Sequence, residues 1–489
     1  MSVRSPLQQA LESCAGRSYP LHMPGHKRRM PPAPGLGCYA WDTTEVPGTD
    51  DLHDAGGILA AAMARTAALW GAGRSWYLVG GSTCGILAAV RAAAPFGSRV
   101  ICARNCHKSV YHAIELGRLS VTWVTPPTDP AFGVYGSLPP AAVAAALDAC
   151  PDAACVILTS PTYEGVLSDL AAIAALCHAR GVPLLVDEAH GAHYLPLAEA
   201  HGWRGGAVAA GADLVVQSPH KTLPSLTQTA LLHLNGGRID PDEVERQLDV
   251  FETSSPSYPL LVSLDGCTAA LADGGDALFA AWRQRLDRFS AAVAGLGRLR
   301  VFCLGADAPA RHPAVFAHDS GKILVNGGAA GLTGAALAET LRRDWGFETE
   351  MACGANLLAM TSVADAPDAL DRLAEALAAI DRAAPACPAP PLPPLPPPGP
   401  AVCPPAEALA RPRQLCPADR AVGAVAAEYV WAYPPGVPLL APGERITPAF
   451  AAAAAGLEAA GTRLRHTVAR TPGALAVLAD PDPAAPGTR

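Results

Sequence analysis

A chain of 489 residues exceeds one ordinary domain, and with half its residues hydrophobic and 16% charged it can bury a large core. Its formal net charge of −8 and pI of about 6.0 argue against nucleic acid or an anionic membrane surface as a main partner. The opening Met1-Ser2-Val3-Arg4-Ser5-Pro6 holds no hydrophobic export core and no apolar stretch of membrane length runs unbroken, so neither a signal peptide nor a membrane span is expected. The 14 cysteines lie scattered, several inside apolar runs (Cys155, Cys177, Cys303), which predicts thiols in a reducing cytoplasm. Cys102 and Cys106 lack zinc-knuckle spacing, and no metal site is expected.

In chain order, residues 1–55 comprise a short helix over 7–14, closed by Gly16, and a long irregular segment over 21–55. That segment is dense in His, Lys and Asp, and long irregular segments of this kind carry function or are disordered. Residues 56–298 alternate between two patterns. Apolar runs at 76–79, 99–103, 121–124, 155–159, 183–187, 214–217 and 229–234 read as strands, with Ala-rich helices such as 139–150 and 169–180 between them. The alternation predicts a mostly parallel sheet with helices on both faces. Residues 240–295 read as largely helical. Residues 299–384 form a smaller α/β unit, with strands at 300–304, 322–325 and 357–361 and helices at 333–344 and 366–382. Residues 385–405 are mostly Pro and Ala and read as a stiff, extended linker. Residues 406–489 make a small C-terminal domain with a frayed tail beyond residue 480.

Two strand ends carry the chemistry. One apolar run ends in Asp187-Glu188-Ala189-His190, and another ends in Ser218-Pro219-His220-Lys221. Neighbouring parallel strands deliver their C-terminal ends to one edge, where open α/β sheets bind ligands. One carboxylate and one amine then converge, a pairing that suits pyridoxal phosphate (PLP). The lysine forms the covalent link, and the acid holds the pyridine nitrogen protonated. Gly80-Gly81-Ser82-Thr83 follows a strand and opens a helix, whose free amides and hydroxyls suit a phosphate; the same residues also start helices that hold no ligand. His107 follows the strand ending at Ala103, placed either to stack on a flat ring or to lie in solvent. Ser218 and His220 flank the lysine as further phosphate donors.

The set resembles the Orn/Lys/Arg decarboxylases, bacterial enzymes of the aspartate-aminotransferase fold. The matching stretches are His22-Met-Pro-Gly-His-Lys-Arg28, Asp50-Asp-Leu-His-Asp54, Gly80-Gly-Ser-Thr-Cys-Gly85 and Arg104-Asn-Cys-His-Lys-Ser109. They continue with Ser160-Pro-Thr-Tyr-Glu-Gly165, Val186-Asp-Glu-Ala-His-Gly-Ala-His193, Gln217-Ser-Pro-His-Lys-Thr-Leu-Pro224, Thr253-Ser-Ser-Pro-Ser-Tyr258 and Tyr433-Pro-Pro-Gly-Val-Pro438. The resemblance implies a mostly parallel seven-stranded sheet, a smaller α/β domain and a C-terminal α+β domain. It implies PLP bound through Lys221, with Asp187 at the ring nitrogen, His107 stacked on the ring and His190 near the imine. Ser82, Thr83, Ser218 and His220 become phosphate-side residues. It implies a homodimer with shared sites, Ser255 and its neighbours reaching the partner's pocket, and Glu428 meeting a distal cation. The reaction it implies is α-decarboxylation of a basic L-amino acid, arginine before lysine or ornithine, in cytoplasmic polyamine synthesis. The first motif begins by residue 22, as in short members without an N-terminal receiver-like domain. Three departures stand out: residues 60–64 lack the glutamates common there, Glu164 replaces a tyrosine, and Ile86 replaces an asparagine. The last two bear on substrate choice. Another PLP reaction on an arginine-like substrate stays open, as does a non-catalytic binder on the same fold. No Gly-x-Gly-x-x-Gly turn with a following acid supports a Rossmann-like nucleotide site.

Overall fold

Runs such as Leu184–Glu188, Leu214–Gln217 and Ala230–Leu234 are buried at every position, as strands covered on both faces must be. In the computed structural model, which describes residues 4–17, 41–304, 311–387, 395–432, 436–459 and 462–479, they lie in the middle of one sheet. Its seven strands run in the order Arg74–Leu78, Ala230–Leu234, Leu214–Gln217, Leu184–Glu188, Val156–Thr159, Arg99–Ala103, Ser120–Val124. Ala230–Leu234 pairs antiparallel with both of its neighbours, and every other pairing is parallel. Six strands therefore share one direction and end at one edge. Thr159, Asp187 and Val216 stand side by side in that register, so the chain following each strand emerges at the same level.

Helices complete the two faces. Gly81–Ala93 and Lys108–Leu116 follow the edge where the strands end, and Tyr258–Val293, 36 residues long, buries Leu261, Leu264, Phe279, Trp282 and Phe289. The N-terminal helix runs from Pro6 to Arg17, past the expected stop at Gly16. A single glycine costs a helix only about 1 kcal/mol, which the burial of Leu7 and Leu11 offsets. The His22–Arg28 motif lies outside the described residues.

The smaller unit is an antiparallel sheet in the order Arg300–Val301, Lys322–Asn326, Asn356–Met360, Met351–Cys353, with helices Gly334–Trp345 and Ala369–Ala383. A two-stranded ribbon joins it to the large sheet's unit, pairing Ala317 with Leu167 and His318 with Val166. The described part of the proline-rich segment is docked rather than free: Arg445 N donates to Pro400 O, and Val402 N donates to Gly443 O. The C-terminal unit joins short strands to helices Pro405–Ala410 and Pro448–Ala459. A buried, two-pronged ion pair fastens it to the large unit. Arg104 Nη1 and Nη2 reach the Glu444 carboxylate at 2.6 and 3.0 Å, and Nη2 also donates to Leu439 O at 3.2 Å.

Candidate active site

The loops after the strand ends meet in one cleft of about 1380 Å³, counting the open space at its mouth. Lys221, Asp187, His107, His190 and Ser82 all line it. The convergence follows from direction: the Arg74–Leu78, Arg99–Ala103, Leu184–Glu188 and Leu214–Gln217 strands all end at this edge.

Lys221 sits in the short helix Pro219–Thr222, and its Nζ lies 3.1 Å from His190 Nε2. Burial pushes its amine below the usual lysine range, against the pull of Asp187 and Glu350. Asp187 is buried, and Ala189 N donates to its Oδ1 at 3.1 Å. Burial raises its pKa, while Lys221 and the Ala189 amide lower it. A positive charge placed before this carboxylate is its natural complement. His107 caps the Lys108–Leu116 helix, and its Nδ1 lies 2.9 Å from Ser109 Oγ. Burial, then Lys221 and Lys108, push its pKa down to about 3, so it is a neutral flat ring at neutral pH. His190 is likewise held well below its ordinary value, by burial and by two lysines.

The phosphate-side residues divide. Ser82 lines the cleft on the first turn of Gly81–Ala93, whose amide-bearing end faces the same edge. Gly81 has φ +76, a conformation that favours glycine. Thr83 beside it is exposed and does not line the cleft. His220 Nδ1 lies 2.7 Å from Thr229 O, which anchors that ring to the backbone. Thr159 Oγ1, Ser218 Oγ and Thr222 Oγ1 are buried hydroxyls with no hydrogen-bond partner among the described residues. Thr159 lines the cleft, and Ser218 and Thr222 bracket Lys221 in the chain. Buried hydroxyls are normally satisfied, so unpaired ones here fit a ligand rich in acceptors. A lysine with a weakened hold on its proton, a buried carboxylate, a neutral ring and free hydroxyls are the donor set PLP requires.

Two expected substrate residues stand elsewhere. Glu428 does not line the cleft. Its carboxylate is buried in the C-terminal unit, accepting from Ala476 N at 2.7 Å, Ala469 N at 2.9 Å and Val468 N at 3.1 Å, with His466 Nδ1 at 3.3 Å. In this chain it is engaged with the backbone of the C-terminal unit. Ser255 is exposed and does not line the cleft of its own chain. The wall instead includes Glu164, whose pKa burial raises, and Tyr163, whose hydroxyl donates to Glu350 Oε1 at 2.6 Å. Apolar lining comes from Phe132, Met351, Leu395, Leu439 and Leu457. Sequence reasoning missed Lys322, which is buried on the small sheet with Nζ 2.9 Å from His190 Nδ1. Only a charged residue opening the apolar run Ile323-Leu324-Val325 marks it in the sequence.

The sheet order and the lysine–aspartate pair at its edge define an enzyme of the aspartate-aminotransferase-like PLP fold. The chain belongs to the Orn/Lys/Arg decarboxylase family: the family's major domain matches residues 6–299 and its C-terminal domain residues 397–472. It is 32% identical to the arginine decarboxylase of Bacillus subtilis over 91% of both chains, and 32% identical to that of Halalkalibacterium halodurans over 87% of both. It is 40% identical to the uncharacterized protein YaaO of B. subtilis over 54% of this chain and 56% of that one. The constitutive lysine decarboxylase of E. coli shares the fold, with TM-score 0.77 at 21% identity over 97% of this chain and 82% of that one. The protein is thus a PLP-dependent carboxy-lyase acting on a basic amino acid. Among the described residues, no helix is long and apolar enough to cross a membrane.

Proposed function

We propose that the protein removes the α-carboxylate of L-arginine, working as a cytoplasmic homodimer in polyamine synthesis. The observation that carries the reading is one cleft holding Lys221, Asp187 and a neutral His107, in a chain that matches arginine decarboxylases along almost its whole length.

PLP, when bound, supplies an electron sink that accepts the pair released as CO2 leaves. The chain's residues do the rest. Lys221, with its depressed pKa, is the amine that holds the cofactor and later returns a proton to the α-carbon. Asp187 presents a carboxylate that keeps a ring nitrogen protonated, and His107 gives an uncharged face for the ring to lie on. Ser82 and Ser218 would donate towards the phosphate end, with Thr83 and His220 beside them, while Thr159, next to Asp187 in the sheet, would face the ring. The cleft walls orient the substrate so that the carboxylate bond is the one that breaks. Glu164 replaces Glu428 as the acid meeting the distal cation, because it lines the cleft. Ser255 is exposed on the loop before Tyr258–Val293, free to complete the cleft of the partner subunit.

The test is a panel of arginine, lysine and ornithine with CO2 and amine identified. Agmatine and CO2 from arginine at the highest kcat/KM is the expected result. A keto acid or oxidised product without simple amine overturns decarboxylation, and faster turnover of lysine overturns the substrate. A monomer that is fully active at nanomolar concentration overturns the shared site.

A further inference from the structure

Glu252 follows the helix Pro241–Phe251, and its buried side chain lies against the turn that opens Gly81–Ala93. Its Oε2 accepts from Val79 N and Gly80 N, each at 3.0 Å, and from Cys84 Sγ at 3.4 Å. Its Oε1 accepts from Thr253 N at 2.8 Å. A carboxylate has about four acceptor positions, and these donors occupy them. Gly80 makes the approach possible: an added Cβ there would sit 2.9 Å from Glu252 Oε1 and 2.9 Å from Cys84 Cβ. The backbone that carries the carboxylate is fixed on both sides. Glu252 N donates to Leu248 O at 2.8 Å, and Thr253 O lies 2.8 Å from His53 Nε2.

The amides of one turn are thereby divided. An α-helix leaves its first N–H groups without partners inside the helix. Here Val79 N and Gly80 N are given to Glu252, and the amides of Gly81, Ser82 and Thr83 come next in the chain. Ser82 lines the cleft, and Glu252 does not. The carboxylate is therefore part of the turn but outside the space that the turn borders. With Val79 N and Gly80 N fixed, the conformation of Gly81, at φ +76, sets where the following amides point. Without Glu252 both amides lose their acceptor, and Val79 is buried away from water that could replace it. The turn is then free to rearrange and carry the next three amides with it. The same edge holds the buried hydroxyls of Ser218 and Thr222, which have no partner among the described residues, so more than the helix end is prepared for an acceptor-rich group.

We propose that Glu252 is a positioning residue for the cofactor's phosphate: it holds the Val79–Gly80 end of the turn so that the amides of Gly81, Ser82 and Thr83 stay aimed at the phosphate. The proposal rests on the reading of the Gly80–Thr83 turn as the phosphate site. Glu252 acts through the turn and not by contact, since an anion set against a phosphate would repel it. What the turn requires of this side chain is its reach and its acceptor oxygen. Its negative charge is not needed for that task, and this separates a role in shaping the turn from a direct electrostatic one.

The experiment titrates PLP and pyridoxal into the full chain freed of cofactor, with each dissociation constant read from quenching of tryptophan fluorescence. The two compounds share ring and aldehyde and differ in the phosphate, so the ratio of the pyridoxal constant to the PLP constant isolates the phosphate end. A general loss of stability weakens both compounds alike and leaves that ratio unmoved. Glu252→Ala is expected to lower the ratio about tenfold or more, the weight of one hydrogen bond to a charged group. Glu252→Asp keeps the charge but falls one methylene short, and it is expected to lower the ratio similarly; it also serves if Glu252→Ala does not fold. Glu252→Gln keeps an oxygen for Val79 N and Gly80 N and is expected to stay within about threefold of wild type. An unmoved ratio in Glu252→Ala or Glu252→Asp, a raised one in either, or a Glu252→Gln ratio as low as that of Glu252→Ala overturns the proposal. Ser82→Ala tests the reading beneath it. If its ratio falls while that of Glu252→Ala holds, only the proposal is lost; if its ratio does not fall, the phosphate lies elsewhere and both are lost.

Discussion

One wall of the cleft carries Lys221, Asp187, His107 and Ser82, each within a few residues of the end of a strand in a single rigid sheet. The other is assembled from Phe132, Tyr163, Glu164, Met351, Leu439 and Leu457, which come from three units and meet only through tertiary packing. The first wall fits the bond-breaking chemistry, and the second fits the choice of substrate. On the proposed reading the sheet supplies the cofactor's chemistry, whereas the loops and neighbouring units that close over it orient the substrate, and so select both the bond that breaks and the substrate taken.

Substitutions sharpen that contrast, the largest effect first. Lys221→Ala is expected to lower kcat roughly 10⁴-fold and abolish the cofactor's visible band, since it removes both tether and proton carrier. A kcat within tenfold of wild type would remove the basis of the first wall. Asp187→Asn is expected to cost kcat about 10²–10³-fold with KM little changed, as loss of a charge aimed at the reacting system does. If KM rises instead and kcat holds, Asp187 belongs to the specificity wall. Glu164→Gln reverses that signature: KM for arginine is expected to rise about 10–100-fold with kcat within a few-fold, the weight of one hydrogen bond to a charged group. Equal losses for a substrate without a distal cation would rule that role out.

Two smaller effects touch neither wall. Glu428→Gln exchanges one carboxylate oxygen for a donor that faces backbone N–H groups, so about 1–3 kcal/mol of stability is expected to go while KM stays put. A KM change without a stability change would return Glu428 to the substrate. Glu188 lies beside Asp187 but points to Ala207 N and Gln217 Nε2, and burial raises its pKa from the ordinary 4.5 to about 8. The fold thus favours its protonated form. That stabilisation is complete below pH 4.5, falls as pH rises, and is lost above about 8. Urea midpoints between pH 5 and 9 are expected to decline in the wild type and to flatten in Glu188→Gln; parallel slopes in the two proteins would contradict the assignment.

The sequence revealed the first wall and little of the second, for physical reasons. Strands buried on both faces announce themselves as short runs of Val and Leu, and the polar residues that end them sit at the ligand edge by topology alone. Strand direction has no such mark: nothing in Thr-Ala-Leu-Leu-His-Leu says that Ala230–Leu234 runs against its neighbours. Met351–Cys353 is too short to show periodicity. The backbone partners of Glu428, at Val468, Ala469 and Ala476, were not legible because they stand 40 to 48 residues further along. Lys322 escaped for the same reason, since His190 is 132 residues away.

The ribbon pairing Ala317–His318 with Val166–Leu167 constrains how the enzyme breathes. It lies directly beyond Glu164 and Gly165, so a swing of the small sheet away from the large one would tear main-chain bonds at the rim of the cavity and pull Lys322 off His190. Val437, Leu439 and Leu457 line the cleft from the C-terminal unit, where the buried Arg104–Glu444 pair and the Arg104 bond to Leu439 O tie that unit to the large one. Amide protons at Val166 and His318 should exchange orders of magnitude more slowly than those around Val437, and substrate analogues should slow only the latter.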